Sequence, residues 1–173
     1  LKAIKDLHNV GIKCYADVVL NHKGNGDEKE KFKAIMVDQN NRTQDVGEET
    51  DIEAWTHFTF PGRDGKYSKM EWHWYHFTGV DHDDLSGTSA VYRIVGDNKY
   101  WDKDVSNEKG NFDYLMNNDI DHNHPEVREE LFNWADWFIE ETGVDGFRYD
   151  ALKHISESFI QDLSSYILSL IHI

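Results

Sequence analysis

The sequence predicts an α/β fold, part of a closed parallel (β/α)8 barrel interrupted by a long β-rich insertion. Three observations carry this reading. A helix, a glycine and a strand follow one another twice, near residues 2–20 and again near 125–150. Both strands run out into polar clusters, Asn21-His22 after the first and Asp150 with Lys153-His154 after the second. Residues 22–124, between the two units, have a different texture altogether. Helix, glycine and strand make half of the crossover that joins parallel strands. A closed parallel barrel needs eight strands, so two such units are expected to belong to something larger.

Each element has its own warrant. Leu1, Ile4 and Leu7 run at helical spacing from the first residue, and this helix is expected to end near His8. Gly11 suits a left-handed exit from it, and Ile12 to Leu20 then reads as a strand. In the second unit Val127, Leu131, Trp134, Ala135, Phe138 and Ile139 follow the 3.6-residue period, while Glu129, Glu130, Asp136 and Glu140 fill the opposite face. Pro125 fits the first turn, where a missing N–H costs nothing. Gly143 precedes a strand over Val144 to Asp150.

Between the units, runs such as Trp55 to Gly62 and Glu71 to Phe77 read as β hairpins and irregular structure rather than helix. A loop this long inside a compact domain is expected to fold on itself as a small inserted domain. Ser156 onward reads as a further helix that turns strongly apolar. Its last six residues, Leu168 to Ile173, look like the translation of a transposon end used in preparing sequencing libraries, and are read as a non-native tail. The expected organisation is therefore barrel over residues 1–21, insertion over 22–124, barrel again over 125–167, and tail over 168–173.

Composition narrows the function. Eighteen Lys and Arg against thirty-three Asp and Glu leave a formal charge of −15 in 173 residues. That balance repels phosphate backbones and anionic lipid, so neither nucleic acid nor a membrane is expected as a partner. It suits a neutral substrate or a bound hard cation. No apolar run is long enough to span a bilayer. The single Cys14 cannot form an intrachain disulfide.

Asp150, at the end of its strand, is the first catalytic candidate, although an Asp there also serves as a plain helix cap. Arg148 lies two residues earlier on the same side. A guanidinium so placed keeps a carboxylate ionised by charge and forked hydrogen bonds, as a carboxylate nucleophile requires. His22 closes the first strand, where a lone histidine is more often structural than catalytic. Lys153 and His154 fall one helical turn after Asp150 and are expected to face the same cleft.

Several patterns are decoys. Asp119-Ile120-Asp121-His122-Asn123 has calcium-loop spacing, but His124 replaces the turn glycine, Pro125 follows and no helix precedes, so an EF-hand is rejected. Asp81 to Asp84 fails the same template. His73, His76, His122 and His124 lack both the helical spacing and the Cys partner of common zinc sites. Trp55, Trp72, Trp74, Tyr75 and Trp101 could stack on sugar, but core packing is the expected role of most of them.

Asp17-Val18-Val19-Leu20-Asn21-His22 and Gly146 to His154 resemble the first two signature regions of the α-amylase family, glycoside hydrolase family 13. Lys23-Gly24, Ala54 to Gly62, Trp72 to Phe77, Val105 to Glu108 and Asn111 to Met116 are similar to the inserted domain of its bacterial liquefying type. The resemblance runs from about residue 1 to 167 and implies a retaining hydrolase of α-1,4 bonds in starch or related α-glucans. In it Asp150 is the nucleophile, Arg148 its support, and the acid/base Glu lies after the next barrel strand. His22 would bind the sugar at the cleavage site, Asp17 would support the site, and Lys153 and His154 would bind substrate.

The resemblance also implies calcium, held by Asn21, Asp113, Asp119 and the His154 carbonyl. Asp102 and Asp121 match carboxylates of a further metal cluster, but Thr78 and Asn123 stand where that cluster has Asp. A secreted bacterial-type location and a monomeric complete enzyme are implied as well. Transglycosylases and oligo-α-glucosidases of the family share the nucleophile. A non-catalytic glucan-binding relative is the alternative from another class, and the Arg148–Asp150 pair argues against it.

Overall fold

The computed structural model describes residues 1–171. Helix α1 spans Lys2–Asn9. Gly11 takes φ +77°, and the Gly11 and Ile12 N–H groups return to the carbonyls of His8 and Leu7 at 2.9 and 3.0 Å. Those two bonds satisfy carbonyls that the last turn would leave open. Strand β1 follows at Tyr15–Val18. It is shorter than the expected 12–20, because its only partner is a strand of four residues.

Eight strands and three α-helices are described in all. The strands after β1 are β2 (His22–Lys23), β3 (Glu28–Met36), β4 (Thr50–His57), β5 (Phe77–Asp83), β6 (Thr88–Ile94) and β7 (Asn118–Ile120). They form one antiparallel sheet in the order β2-β7-β5-β6-β3-β4. Period-2 patterning explains β4, where Ile52, Ala54 and Thr56 are buried while Asp51 and Trp55 face out. The segment 71–77 departs from the expected hairpin. Trp74–His76 is a 3-10 turn closed by the His76 ring, whose Nδ1 accepts the His73 backbone N–H at 2.9 Å.

Helix α2 (Pro125–Thr142) ends at Gly143, which takes φ +72° and donates to the Ile139 carbonyl. Strand β8 (Gly146–Tyr149) then lies parallel to β1, with Asp17 opposite Arg148 and Val18 opposite Tyr149. Asp145 aligns the pair, its carboxylate accepting the Cys14 backbone N–H at 2.7 Å and facing His8 Nε2 at 2.8 Å. A side chain at Gly146 would start 2.7 Å from the Tyr15 ring, so close strand approach requires glycine there. Helix α3 occupies Glu157–Ile171. Residues 168–171 of the tail singled out above continue this helix, and the remaining two lie outside the described residues.

One core runs through both regions. Phe32, Ile52, Phe77, Ile94 and Ile120 from the antiparallel sheet are continuous with Val18, Leu20, Val127, Leu131, Phe159 and Leu163. Trp72 and Trp101 belong to buried clusters, as their expected packing role requires, whereas Trp55 is 46% and Tyr75 37% exposed. No helix among the described residues is long and apolar enough to cross a membrane.

Candidate active site

Two carboxylates and a guanidinium meet where β1 and β8 end. Asp17 and Arg148 are register partners and so project to one side of the strand pair. Arg148 Nη1 donates to Asp17 Oδ2 at 2.6 Å. The same nitrogen lies 3.6 Å from Asp150 Oδ1. The ladder carries Asp150 into place, its N–H donating to the Val18 carbonyl at 3.0 Å. The forked bond expected from Arg148 to Asp150 is thus an ion contact, and the strong hydrogen bond goes to Asp17. Immediately afterwards Ala151 sits at φ 55°, a left-handed conformation that costs a residue with a Cβ about 1–2 kcal/mol. That kink ends the strand and starts the 3-10 turn Leu152–His154.

The turn separates the two residues expected to share a cleft. Lys153 is exposed, its Nζ 3.1 and 3.0 Å from the two carboxylate oxygens of Glu108. The His154 ring points inward, only 4% exposed, with Nδ1 2.5 Å from the Phe112 carbonyl. A 3-10 turn advances 120° per residue, so consecutive side chains cannot face the same way. His154 can therefore offer a site its backbone carbonyl, while its side chain is closed to a ligand.

His22 opens β2 directly beyond β1 and is half-buried. Burial lowers its pKa and the Asp150 carboxylate opposes that, so the imidazole is within electrostatic reach of the carboxylate cluster. A cavity of about 390 Å³ opens beside it, lined by Asp17, Lys23, Phe60 and Trp72 among others.

Behind His22 is a buried acidic pocket. Asn21 and Asp119 are fully buried, Asp113 is 1% exposed, and Asp102 and Asp121 are 3% and 5% exposed. Asn21 Nδ2 lies 3.1 Å from Asp119 Oδ1 and 3.4 Å from the His154 carbonyl. Desolvation by burial pushes Asp119 up to about 8 and Asp113 well above the carboxylate range, the latter helped by Asp119 and Asp102. Asp113 Oδ1 and Asp102 Oδ2 are buried without a hydrogen-bond partner. Orphaned buried carboxylate oxygens are costly unless a cation meets them. The donor set is all hard oxygen once the Asn21 amide is turned to present Oδ1, and it fits calcium.

Sequence reasoning missed two participants, Lys99 and Glu108. Each is paired with a residue distant in sequence, Asp121 and Lys153, and no local pattern marks either. The fold also gathers His76, His124 and Glu126, whose ligand atoms lie within 4.8 Å of one another. His76 Nδ1 is already an acceptor, which leaves Nε2 as the protonated nitrogen facing Glu126 at 2.9 Å, a hydrogen bond rather than a metal ligand.

Carboxylates and a guanidinium at the carboxyl ends of adjacent parallel strands define a site of the α/β class, where both barrels and open sheets place their chemistry. The sequence model described as "Alpha amylase, catalytic domain" matches residues 1–165, and the chain belongs to that family. It is 48% identical over 165 residues to an alpha-amylase of Bacillus licheniformis, covering 95% of this chain and 32% of that protein. It is 49% identical over 168 residues to a glucan 1,4-alpha-maltohexaosidase of Bacillus sp. (strain 707), covering 96% and 32%. A cytoplasmic alpha-amylase of Escherichia coli (strain K12) is 42% identical over 164 residues, covering 94% and 33%. The chain spans about a third of the length of these relatives.

Proposed function

We propose that this chain carries the nucleophile half of an α-amylase active site, which cleaves internal α-1,4-glucosidic bonds of starch-like glucans with retention of configuration. The observation that carries the reading is the Arg148 guanidinium, 2.6 Å from Asp17 and 3.6 Å from Asp150 at the ends of two parallel strands. The contact holds Asp150 beside a fixed cation at the strand ends, and a carboxylate is the group that attacks the anomeric carbon in retaining enzymes. Attack forms a glycosyl ester on Asp150 and expels the leaving sugar oxygen, which takes a proton from a second carboxylic acid. Retaining enzymes hold that acid about 5–5.5 Å from the nucleophile. It is assigned to the part of the relatives' catalytic domain that this chain does not span. Water then releases the sugar with the same configuration.

In this reading β1 and β8 are the third and fourth barrel strands, and the six-stranded sheet is the domain inserted between them. His22 donates to the sugar at the cleavage site, and Lys153 reaches a sugar further along when Glu108 releases it. The exposed face of Trp55 is a stacking platform. Asn21, Asp113, Asp119 and the His154 carbonyl hold calcium, which neutralises the buried carboxylates and pins the sheet against the barrel beside Asp150. Its part is structural. A fluorinated glycosyl donor that slows the second step tests the assignment in the full-length protein. Mass spectrometry should find the label on the peptide containing Asp150, and label on a different carboxylate would overturn the reading.

A further inference from the structure

The acidic pocket already contains one cation of its own. Lys99 is 6% exposed, and its Nζ lies 2.5 Å from Asp121 Oδ2, itself on a carboxylate only 7% exposed. The same Nζ donates to the Tyr75 carbonyl. An ammonium this deep is tolerated because it meets a carboxylate and a carbonyl at once.

The remaining oxygens divide clearly. Asp102 Oδ1 accepts a hydrogen bond from the Asn123 amide. Asp119 Oδ2 accepts the Thr78 hydroxyl at 2.7 Å. Asp113 Oδ2 accepts the Asp102 backbone N–H at 2.9 Å. After these bonds the carboxylate oxygens without a hydrogen-bond donor are Asp113 Oδ1 and Asp102 Oδ2, the latter 3.8 Å from His122 Nδ1. Asp119 Oδ1 has only the Asn21 amide, which is replaceable by an ion. Open acceptors thus remain on Asp113, Asp102 and Asp119, whereas both oxygens of Asp121 are taken, Oδ1 by the Asn123 backbone N–H at 3.1 Å and Oδ2 by Lys99.

We infer that the pocket takes a single divalent cation, and that the Lys99 ammonium fills the place against Asp121 that a second metal ion would need. Asn123 completes the closure, its backbone N–H on Asp121 Oδ1 at 3.1 Å and its side-chain amide on Asp102 Oδ1. A tethered ammonium cannot be chelated or diluted away, so this half of the pocket stays neutralised at any calcium concentration. The inference rests on the calcium reading above and goes beyond it by fixing the number of ions and naming what replaces the rest.

The test is calcium stoichiometry. The full-length protein is equilibrated with calcium chloride at a buffered micromolar free concentration and calcium per chain is measured by mass spectrometry. One ion is expected. Two or more would overturn the inference while leaving the calcium reading standing, and none would overturn the calcium reading itself. The double substitution Lys99→Ala with Asn123→Asp should open the second place, raising the count to two in millimolar calcium and adding a second phase to the rise of melting temperature with calcium. A folded double variant that still holds one ion would also count against the inference. The wild-type count decides the matter if that variant does not fold.

Discussion

Arg148 Nη1 stands 2.6 Å from Asp17 and 3.6 Å from Asp150, so one guanidinium ties two parallel strands together and faces two carboxylates. The Arg148 and Asp17 side chains are more than three-fifths exposed. Water screens such pairs, so their value here lies in orienting Asp150 more than in holding the fold.

Replacing the guanidinium by an ammonium tests that orientation. Lysine puts a compact point charge on a flexible stem where arginine has a rigid planar group, and misplacement by about 1 Å can cost about 10²-fold in rate. Arg148→Lys in the full-length protein is expected to lower kcat by about that factor with KM little changed. An unchanged kcat in Arg148→Lys would show that Arg148 does not position Asp150.

Asp150→Asn removes the attacking oxygen while keeping the side chain's shape. Turnover of soluble starch by the full-length protein should fall by on the order of 10⁴-fold or more, with the melting temperature nearly unchanged. The 173 residues alone should release no reducing ends, since the second carboxyl group is assigned elsewhere. Reproducible release by the purified piece would refute that assignment.

Calcium dependence should carry a pH signature. Desolvation raises Asp119 from its ordinary 3.8 to about 8 in the metal-free state. Between those values the folded metal-free protein binds more protons than the unfolded chain, so its stability declines as pH rises through that window. Calcium displaces those protons and therefore binds better at the upper end. At a thousandfold excess over Kd its contribution is about 4 kcal/mol. Melting curves with calcium and with chelator should lie further apart at pH 8 than at pH 5, and an equal gap at both would contradict the mechanism.

His57 offers the opposite pH dependence. Its Nδ1 and Nε2 face Glu28 and Glu71, each at 2.9 Å. Burial lowers its pKa, but hydrogen bonds to Glu71 and Glu28 outweigh that and leave it raised above 6.5. A raised histidine contributes most below its unfolded pKa and loses the contribution as pH climbs through the folded one. The melting-temperature difference between wild type and His57→Gln should be largest below about pH 6.5 and shrink toward pH 9. A constant difference would mean that the ring acts by packing alone.

The glycine exits at Gly11 and Gly143, the apolar stripe of α2 and the alternation of β4 were legible because turn chemistry and periodicity are local. Asp17, Arg148 and Asp150 could be picked out for the same reason, since their places follow from the strand that carries them. What the sequence by itself determined was the helix–glycine–strand units and the candidate carboxylate at the end of the second. Only the tertiary structure decided that Arg148 bonds Asp17 more closely than Asp150, that a left-handed Ala151 turns His154 inward, and that Lys99 reaches Asp121. Those outcomes depend on distance in space and on desolvation, which arise when residues 22 to 131 positions apart are brought into one low-dielectric pocket or one strand pair.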